Sequence, residues 1–574
     1  MQSSRKGEWS AITKVKVLSP EICLIALGQG FHHLEASSAA RDKGECVSDV
    51  PGSEAMAGHS KIHSGTWDSH IVPNSEASDE PKRQRRKYDD MAVGLTHSRG
   101  VNGVMPIESQ ESGHSKGLAV KRRGMRWLMP YTEMDNITPA KLALISERAR
   151  KDPKFQFTSL AHLLNEGFLK ECYYQLGRDR ASGIDGVSWK EYGERLDENI
   201  SDLVVRLKAK RYMPLPSRRT YIPKDEHSKR PLGLPALEDK IVQKGVARIL
   251  EAIYEQDFLD CSYGYRPNRS CHRALNVVDK TIMRRPINYV IEADIKRFFD
   301  NVPHDWMVRC LQVRVKDPSF LLIIRRFLEA GYIDAGEFVL TTEGTPQGSN
   351  FSPIISNIFL HYVVDLWFEK KIKPKIRGVC QLVRYADDFI CMTQYADDAR
   401  YIEQVMRERF VKFGLELHPE KTRIIHLDRE QQCRTNRKDH QSHTFDFLGF
   451  THYWGKSRKG NPTLRRKTSA KKFRKACKGM NEWLRQVRGT AKLKEWWPTL
   501  RAKLRGHCQY YGISGNSRAI ERYHYVTKQL VLKWLNRRSQ KASFTWKGFE
   551  AYLEHYPLPE PRIVHYLYTL SFVS

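Results

Sequence analysis

The chain has 574 residues, 40% hydrophobic and 10% aromatic, which excludes disorder throughout and exceeds one ordinary domain of roughly 150 residues. Lys and Arg number 96 against 66 Asp and Glu, a formal net charge of +30 that points to a polyanionic partner, nucleic acid above all. No run approaches the ~20 apolar residues of a membrane span, and the 11 cysteines are scattered without a Cys-x-x-Cys pair, which argues against a disulfide framework or a four-cysteine zinc ribbon and fits a reducing, cytoplasmic setting.

Residues 1–125 are rich in Ser, Gly and His and weakly periodic. They offer too little apolar surface to offset the entropy of ordering, so a disordered N-terminal extension is expected. Its apolar run from Val15 to Leu27 is broken by Ser19, Pro20 and Glu21 and is not read as a secretory signal. The basic run Lys82, Arg83, Arg85, Arg86 and Lys87 reads as a solvated tail, with an RNA-binding arm as the alternative.

From 126 to 455 the texture is mixed. Helical periodicity covers Ala140–Arg150, Leu160–Leu176, Lys240–Tyr254 and Ser356–Lys371. Runs of β-formers occur at Arg219–Pro223, Asn288–Asp294, Leu382–Tyr385 and Phe389–Met392. Strands and helices without strict alternation predict an α+β fold. From 451 to 550 there are 26 Lys/Arg against 4 Asp/Glu, a net of +22. This stretch is not a tail, because Phe473, Ala476, Met480, Trp483 and Val487 recur at helical spacing. So do Trp497, Leu500, Leu504, Cys508 and Tyr511, and then Tyr523, Val526, Leu530 and Trp534. The spacing predicts an all-α unit over 456–543, with three apolar stripes turned inward and basic outer faces that neutralise phosphates. Residues 544–574 form a short C-terminal segment, in which Phe544–Ile563 reads as a closing helix and loop, with a DNA-binding region as the alternative.

Two segments carry carboxylates in apolar surroundings. In Tyr289–Asp300 an apolar strand runs into Asp294, and Phe298 and Phe299 follow. In Leu382–Cys391, Asp387 and Asp388 are adjacent and flanked by β-formers, as at a hairpin turn. Adjacent buried acids repel and lose hydration, and a divalent cation compensates both costs. A third carboxylate from a neighbouring strand would complete an oxygen site suited to Mg²⁺. The four letters Tyr-Ala-Asp-Asp recur at Tyr395–Asp398, but there they lead into a helical pattern, and the acids are read as a helix start.

These segments, with others in a fixed order, resemble the reverse transcriptases encoded by group II introns, also called maturases. The resemblance runs from Phe157–Asn165 through Ala181–Val187, Thr220–Lys224, Lys229–Pro235 and Ser262–Ser270 to the Asp294 strand. It continues with Gly344–Gly348, the first Tyr-Ala-Asp-Asp, Gly414–Thr422 and Phe445–Phe450. It implies a right-hand polymerase, with fingers and palm over 126–455 and a basic thumb, or maturase domain X, over 456–543. No nuclease module with paired cysteines is expected in 544–574.

The resemblance also implies roles. Asp294, Asp387 and Asp388 would be the catalytic acids and hold two Mg²⁺ ions, for which Mn²⁺ could substitute. Lys224 and Arg230 would contact the incoming triphosphate, their long cationic side chains suiting phosphate oxygens. Phe298 would be the bulky gate against a 2′-hydroxyl, with Phe299 as core. Gln347 would line the nucleotide site, and Gly344 and Gly348 would let backbone approach substrate. Tyr385 and Ala386 would flank the primer end. Arg266, with Asn268, would touch template or else close a loop. Ser349, Asn350 and Phe351 depart from the relatives' pattern, which puts the backbone there in question. In the basic helices Arg505, His507, Tyr510, Arg537 and Arg538 would meet RNA, cations tracking the backbone while aromatics stack on bases. His507 beside Cys508 is read as packing rather than metal binding. The implied partners are group II intron RNA, a DNA target or primer and deoxynucleoside triphosphates, with no membrane; the oligomeric state is left open. The alternatives are a non-enzymatic RNA-binding splicing factor on a polymerase scaffold, or a domesticated reverse transcriptase in repair or phage defence.

Overall fold

The computed structural model describes residues 137–223, 228–427, 443–457, 459–538 and 544–567. The N-terminal extension over 1–125, its basic run and Lys224 lie outside the described residues.

The described residues begin with helices α1 (Ile137–Lys151), α2 (Glu166–Tyr174), α3 (Trp189–Glu194) and α4 (Leu196–Lys208). The single helix expected over Leu160–Leu176 is broken. A 3₁₀ turn spans Ala161–Leu163, and Asn165 then caps α2 by accepting from the Phe168 amide, which stops the helix from extending backward. Strands β1 (Ser217–Pro223) and β2 (Lys229–Leu234) form an antiparallel pair, followed by α5 (Leu237–Tyr254) and α6 (Cys271–Arg284). Next come β3 (Tyr289–Asp294), α7 (Phe298–Asn301), α8 (His304–Gln312), α9 (Pro318–Glu329), β4 (Tyr332–Asp334) and β5 (Glu337–Val339). Helix α10 (Ser352–Leu360) carries Pro353 in its first turn, where the missing amide costs nothing. It continues into two π-helical stretches, His361–Asp365 and Phe368–Ile372.

The central sheet comprises β6 (Cys380–Tyr385), β7 (Asp388–Thr393), β3 and β8 (Arg423–His426), in the order β6-β7-β3-β8 and antiparallel throughout. Helix α11 (Ala396–Lys412) joins β7 to β8. Side chains alternate across this sheet, as the two-residue period of a strand requires. Val290, Val383, Ile390 and Met392 share a core with Leu275, Val278 and Ile282 of α6. Ile291, Ala293, Leu382, Phe389 and Cys391 face the other way, into the core that holds Phe359 of α10 and Phe410 of α11. Covered on both faces, the strands read as near-continuous apolar runs. A second sheet has the order β2-β1-β4-β5, with β1 and β4 parallel.

A third sheet is formed by β9 (Phe445–Phe447), β10 (Phe450–Lys456) and β11 (Pro462–Thr468). It corrects the domain boundary expected at 455, which would cut the β10–β11 hairpin. The basic residues after 455 begin as a strand because Leu464 and Arg466 alternate inward against α6. Arg466 is buried there and pairs with the buried Asp279 of α6. Asp279→Ala is expected to cost about 3–5 kcal/mol, because it leaves the guanidinium buried without its counter-charge. Chemical denaturation would read that loss.

The all-helical unit starts at Ala470 with α12 (Ala470–Thr490), α13 (Leu493–Tyr511) and α14 (Ser517–Leu535), close to the three helices expected. Their stripes form a separate core of Met480, Leu484, Trp497, Leu500, Leu504, Tyr523, Val531 and Trp534. Helix α15 (Trp546–His555) adds Phe549 and Leu553 to that core. Among the described residues no helix is long and apolar enough to cross a membrane.

Candidate active site

Strand β6 ends at Tyr385 and β7 begins at Asp388, and these two residues pair. Ala386 and Asp387 are therefore the whole turn. Ala386 takes φ +57°, the sign a II′-type hairpin turn requires at its first central position. A side chain there costs about 1–2 kcal/mol, so the surroundings must hold it. On the neighbouring strand Asp294 stands opposite Asp388 in register. Two strand ends and one turn thus bring Asp294, Asp387 and Asp388 to the same edge of the sheet.

Burial, and then mutual charge, act on the two acids Asp387 and Asp388. Asp388 is pushed up to about 8, first by desolvation and then by the charges of Asp387, Asp294 and Glu292; the Leu448 amide opposes this by donating to its carboxylate. Burial also raises Asp387, with Asp294 adding to the shift and the Arg230 and Arg384 charges opposing it. Asp294 is ion-paired, its Oδ2 2.5 Å from Lys421 Nζ. Among the described residues no three His, Cys, Asp or Glu side chains stand close enough together to hold a metal as placed. The donor set nonetheless fits a hard divalent cation: all its ligating atoms are oxygens, and what destabilises the charged forms is mutual repulsion and lost water, both of which a bound cation relieves.

The second Tyr-Ala-Asp-Asp lies elsewhere. Tyr395 stands at the N-cap position of α11, Asp397 pairs with Arg400 at 2.5 Å, and Asp398 accepts from the amides of Arg377 and Gly378 at 3.4 and 3.0 Å. These acids serve a helix start and the loop before β6.

Arg230 lies on β2, and its charge acts on Asp387. The Gln347 carbonyl accepts from the Gly233 amide at 2.7 Å, which docks the 344–348 loop onto the same strand. Gly348, at φ +112°, lies where a Cβ would come within 2.6 Å of the Gly233 oxygen, so only glycine fits that approach. The departure at 349–351 is absorbed by α5. Ser349 Oγ donates to Gln243 at 2.9 Å, Asn350 donates to the Lys240 carbonyl at 3.2 Å, and Phe351 is buried against Phe327.

Several expectations need correction. Phe298 is 2% exposed and contacts Phe299 and Phe359, so it is core, whereas Phe299 is only partly buried. Of the two rings it is the first that is enclosed, because the turn after β3 aims it into the core that holds Phe359. Arg266 is 7% exposed and spends its donors on Glu255 and on the Leu259, Ser262 and Phe258 carbonyls. It closes a loop and has no donor left for template. His507 is 5% exposed, stacked on Tyr523 at 3.7 Å, and pushed down by burial to about 3; it lies on the inner face of α13 and cannot meet RNA. Tyr510 donates to the Leu448 carbonyl at 3.0 Å and so buttresses the turn whose amide reaches Asp388. Arg505, Arg537 and Arg538 are exposed on the helical unit.

The residues missed from sequence are Lys421, Leu448, Lys472 and Arg384. Lys421 and Leu448 sat inside recognised segments but drew no notice, since their value lies in what they face. Lys472, in the first turn of α12, has its pKa lowered by burial and the neighbouring Lys475 and Lys471, while Asp388 opposes the shift. A further constraint is Gly264, where a Cβ would fall 2.4 Å from the Ala386 backbone nitrogen. Gly264→Ala must displace the turn, and a roughly 10²-fold fall in turnover is expected from a displacement of about 1 Å. Steady-state rates, read beside a melting curve, would check it.

Residues 222–452 match the family model described as reverse transcriptase (RNA-dependent DNA polymerase). The chain is 28% identical to the group II intron-encoded protein LtrA of Lactococcus lactis subsp. cremoris, over 69% of this chain and 77% of that protein. It is 32% identical to protein YkfC of Escherichia coli, over 50% of this chain and 86% of that one. An uncharacterized 91 kDa protein in a cob intron of Schizosaccharomyces pombe is 41% identical over 38% of this chain and 28% of its own length. The acid-bearing strands lie inside the matched segment, and with these relatives the chain belongs to the group II intron reverse transcriptase/maturase family.

Proposed function

We propose that this protein is an RNA-directed DNA polymerase that binds group II intron RNA, assists its splicing and supports retrohoming by cDNA synthesis. The observation that carries the reading is the Ala386–Asp387 turn leading into Asp388, with Asp294 in register opposite Asp388. The mixed α+β region would act as fingers and palm, and the basic helices from Ala470 as thumb. Asp294, Asp387 and Asp388 would hold two Mg²⁺ ions. When bound, such ions lower the pKa of a primer 3′-hydroxyl and neutralise charge on the leaving pyrophosphate.

The protein's own groups do the remaining work. Arg230, beside Asp387, suits the triphosphate of an incoming deoxynucleotide, and Lys224 is assigned the same task. The 344–348 loop, docked on β2, shapes the pocket with Gln347. Phe299 takes the gate role, because it is the ring left partly open in the segment that follows Asp294. Lys421 holds Asp294 until a cation competes for the carboxylate. Arg505, Arg537 and Arg538 supply phosphate contacts, which make RNA affinity depend on salt. A cytoplasmic location is part of the proposal.

Primer extension on an RNA template with deoxynucleotides and Mg²⁺, comparing wild type with Asp387→Asn, tests it. Extension by wild type alone supports the reading. No extension by either protein, with tight salt-sensitive RNA binding, would replace it by a non-enzymatic splicing factor.

A further inference from the structure

The Arg384 guanidinium lies immediately behind the Ala386–Asp387 turn and is fully buried. Nε donates to Asp365 Oδ1 at 2.8 Å. Nη2 donates to Asp365 Oδ2 at 2.5 Å and to Ser262 Oγ at 2.8 Å. Nη1 donates to Asn357 Oδ1 and to the Ala386 carbonyl, both at 3.0 Å. An arginine has five N–H donors, and each of these has an acceptor. Asp365 is itself fully buried, so the pair is a two-pronged ion pair without solvent.

The partners come from separate parts of the chain. Asn357 lies on α10 and Asp365 ends the first π-helical stretch, and the wider π turn carries Asp365 back toward the side that Asn357 occupies. Ser262 belongs to the segment before α6. That segment is bound to β6 through Tyr263 N to Arg384 O at 2.8 Å and Arg384 N to Cys261 O at 2.7 Å. Asn357 also donates to the Gly264 carbonyl at 2.7 Å, and Gly264 is the residue that abuts Ala386. One side chain therefore ties the turn's carbonyl to a helix and to a neighbouring backbone segment.

A buried ion pair is a poor device for stability, because desolvating two charges offsets most of their attraction. It is a good device for fixing a geometry. The turn needs fixing, since Ala386 occupies a backbone region that alanine disfavours. We propose that Arg384, oriented by Asp365 and Asn357, is a positioning residue that locks the Asp387-bearing turn into the conformation used in nucleotide addition. The proposal rests on the polymerase reading above for its functional consequence, though not for the lock itself.

The test separates positioning from stability. The pair replacement Arg384→Met with Asp365→Leu removes both charges at similar volume, a change that is often neutral or stabilising for a buried pair. The expected result is a cooperatively folded protein, with loss of the ion pair itself near neutral and a modest cost from the acceptors that Arg384 leaves, a kcat lowered about 10²-fold by misplacement of the turn, and deoxynucleotide KM and RNA affinity within about threefold. Backbone amides in 384–390 should exchange with deuterium at least about tenfold faster, a readout that needs no polymerase activity. Arg384→Lys keeps the charge but supplies a single point donor, and is expected not to restore kcat. If the pair variant should fail to fold, Asn357→Leu leaves the ion pair intact and should lower kcat about tenfold with the same faster exchange. Wild-type kcat and exchange in a folded pair variant, or full rescue by lysine, would overturn the lock. A wild-type protein without polymerase activity would overturn the polymerase reading, while the exchange result would still decide the lock.

Discussion

Replacing Asp387 with asparagine is expected to lower template-directed deoxynucleotide addition by about 10³-fold or more while RNA affinity stays within about twofold. The amide keeps the shape of the carboxylate and loses its charge, and cation chemistry at such a site is worth several kcal/mol, at 1.36 kcal/mol per factor of ten. RNA affinity is dominated by phosphate neutralisation, to which an acid contributes nothing favourable. The chain supplies a control. Asp398→Asn alters an acid of the second Tyr-Ala-Asp-Asp, its fourth letter, where the carboxylate accepts from the Arg377 and Gly378 amides. That variant is expected to lose about 1 kcal/mol of stability and to keep its polymerase rate within about twofold. Rapid-quench primer extension on both variants would measure the contrast. Equal activity of the two would mean that the turn at 386–387 is not the catalytic one.

The second expectation separates two adjacent rings. Phe298→Ala should destabilise the protein by about 3–5 kcal/mol, because it empties a fully enclosed position between Phe299 and Phe359. Phe299→Ala should cost less stability, since that ring is only partly buried. Its effect should fall on sugar choice. Removing a side chain that excludes a 2′-hydroxyl should raise ribonucleotide incorporation relative to deoxynucleotide by about tenfold or more, within the 1–3 kcal/mol that a small steric difference supplies. Competing nucleotide pairs in single-turnover assays give that ratio, and urea denaturation gives the stability. If Phe298→Ala changed sugar choice and Phe299→Ala did not, the assignment drawn from burial would be reversed.

Both expectations turn on distinctions that the linear chain supports unequally. The strands around Asp294 and Asp387 were legible because apolar β-formers in a row are a local signal, and their limits agree with β3, β6 and β7 within two residues. The three basic helices were legible for the same reason, their apolar stripes repeating at helical spacing over long stretches. The different fates of the two Tyr-Ala-Asp-Asp copies were also legible, since one is flanked by strand formers and the other opens a helix.

Other features depended on what came to lie opposite. Arg266 and Arg384 are both arginines within recognised segments, and nothing local marks them as buried. Glu255 takes up the first, while Asp365, Asn357 and Ser262 take up the second. His507 and Arg505 are two positions apart on one helix, yet one stacks in the core and the other faces outward. The Lys421–Asp294 pair and the reach of Leu448 to Asp388 join residues far apart in the chain.

The sequence by itself determined the acids, the strands that carry them, the basic amphipathic helices and the family. Only the tertiary structure decided which phenylalanine is core, which arginines are already spent, and what holds the turn. The physical reason is that periodicity and turn chemistry are written in neighbouring residues. The state of a polar or aromatic side chain is set by desolvation and partners, and those are supplied by segments tens to hundreds of residues away.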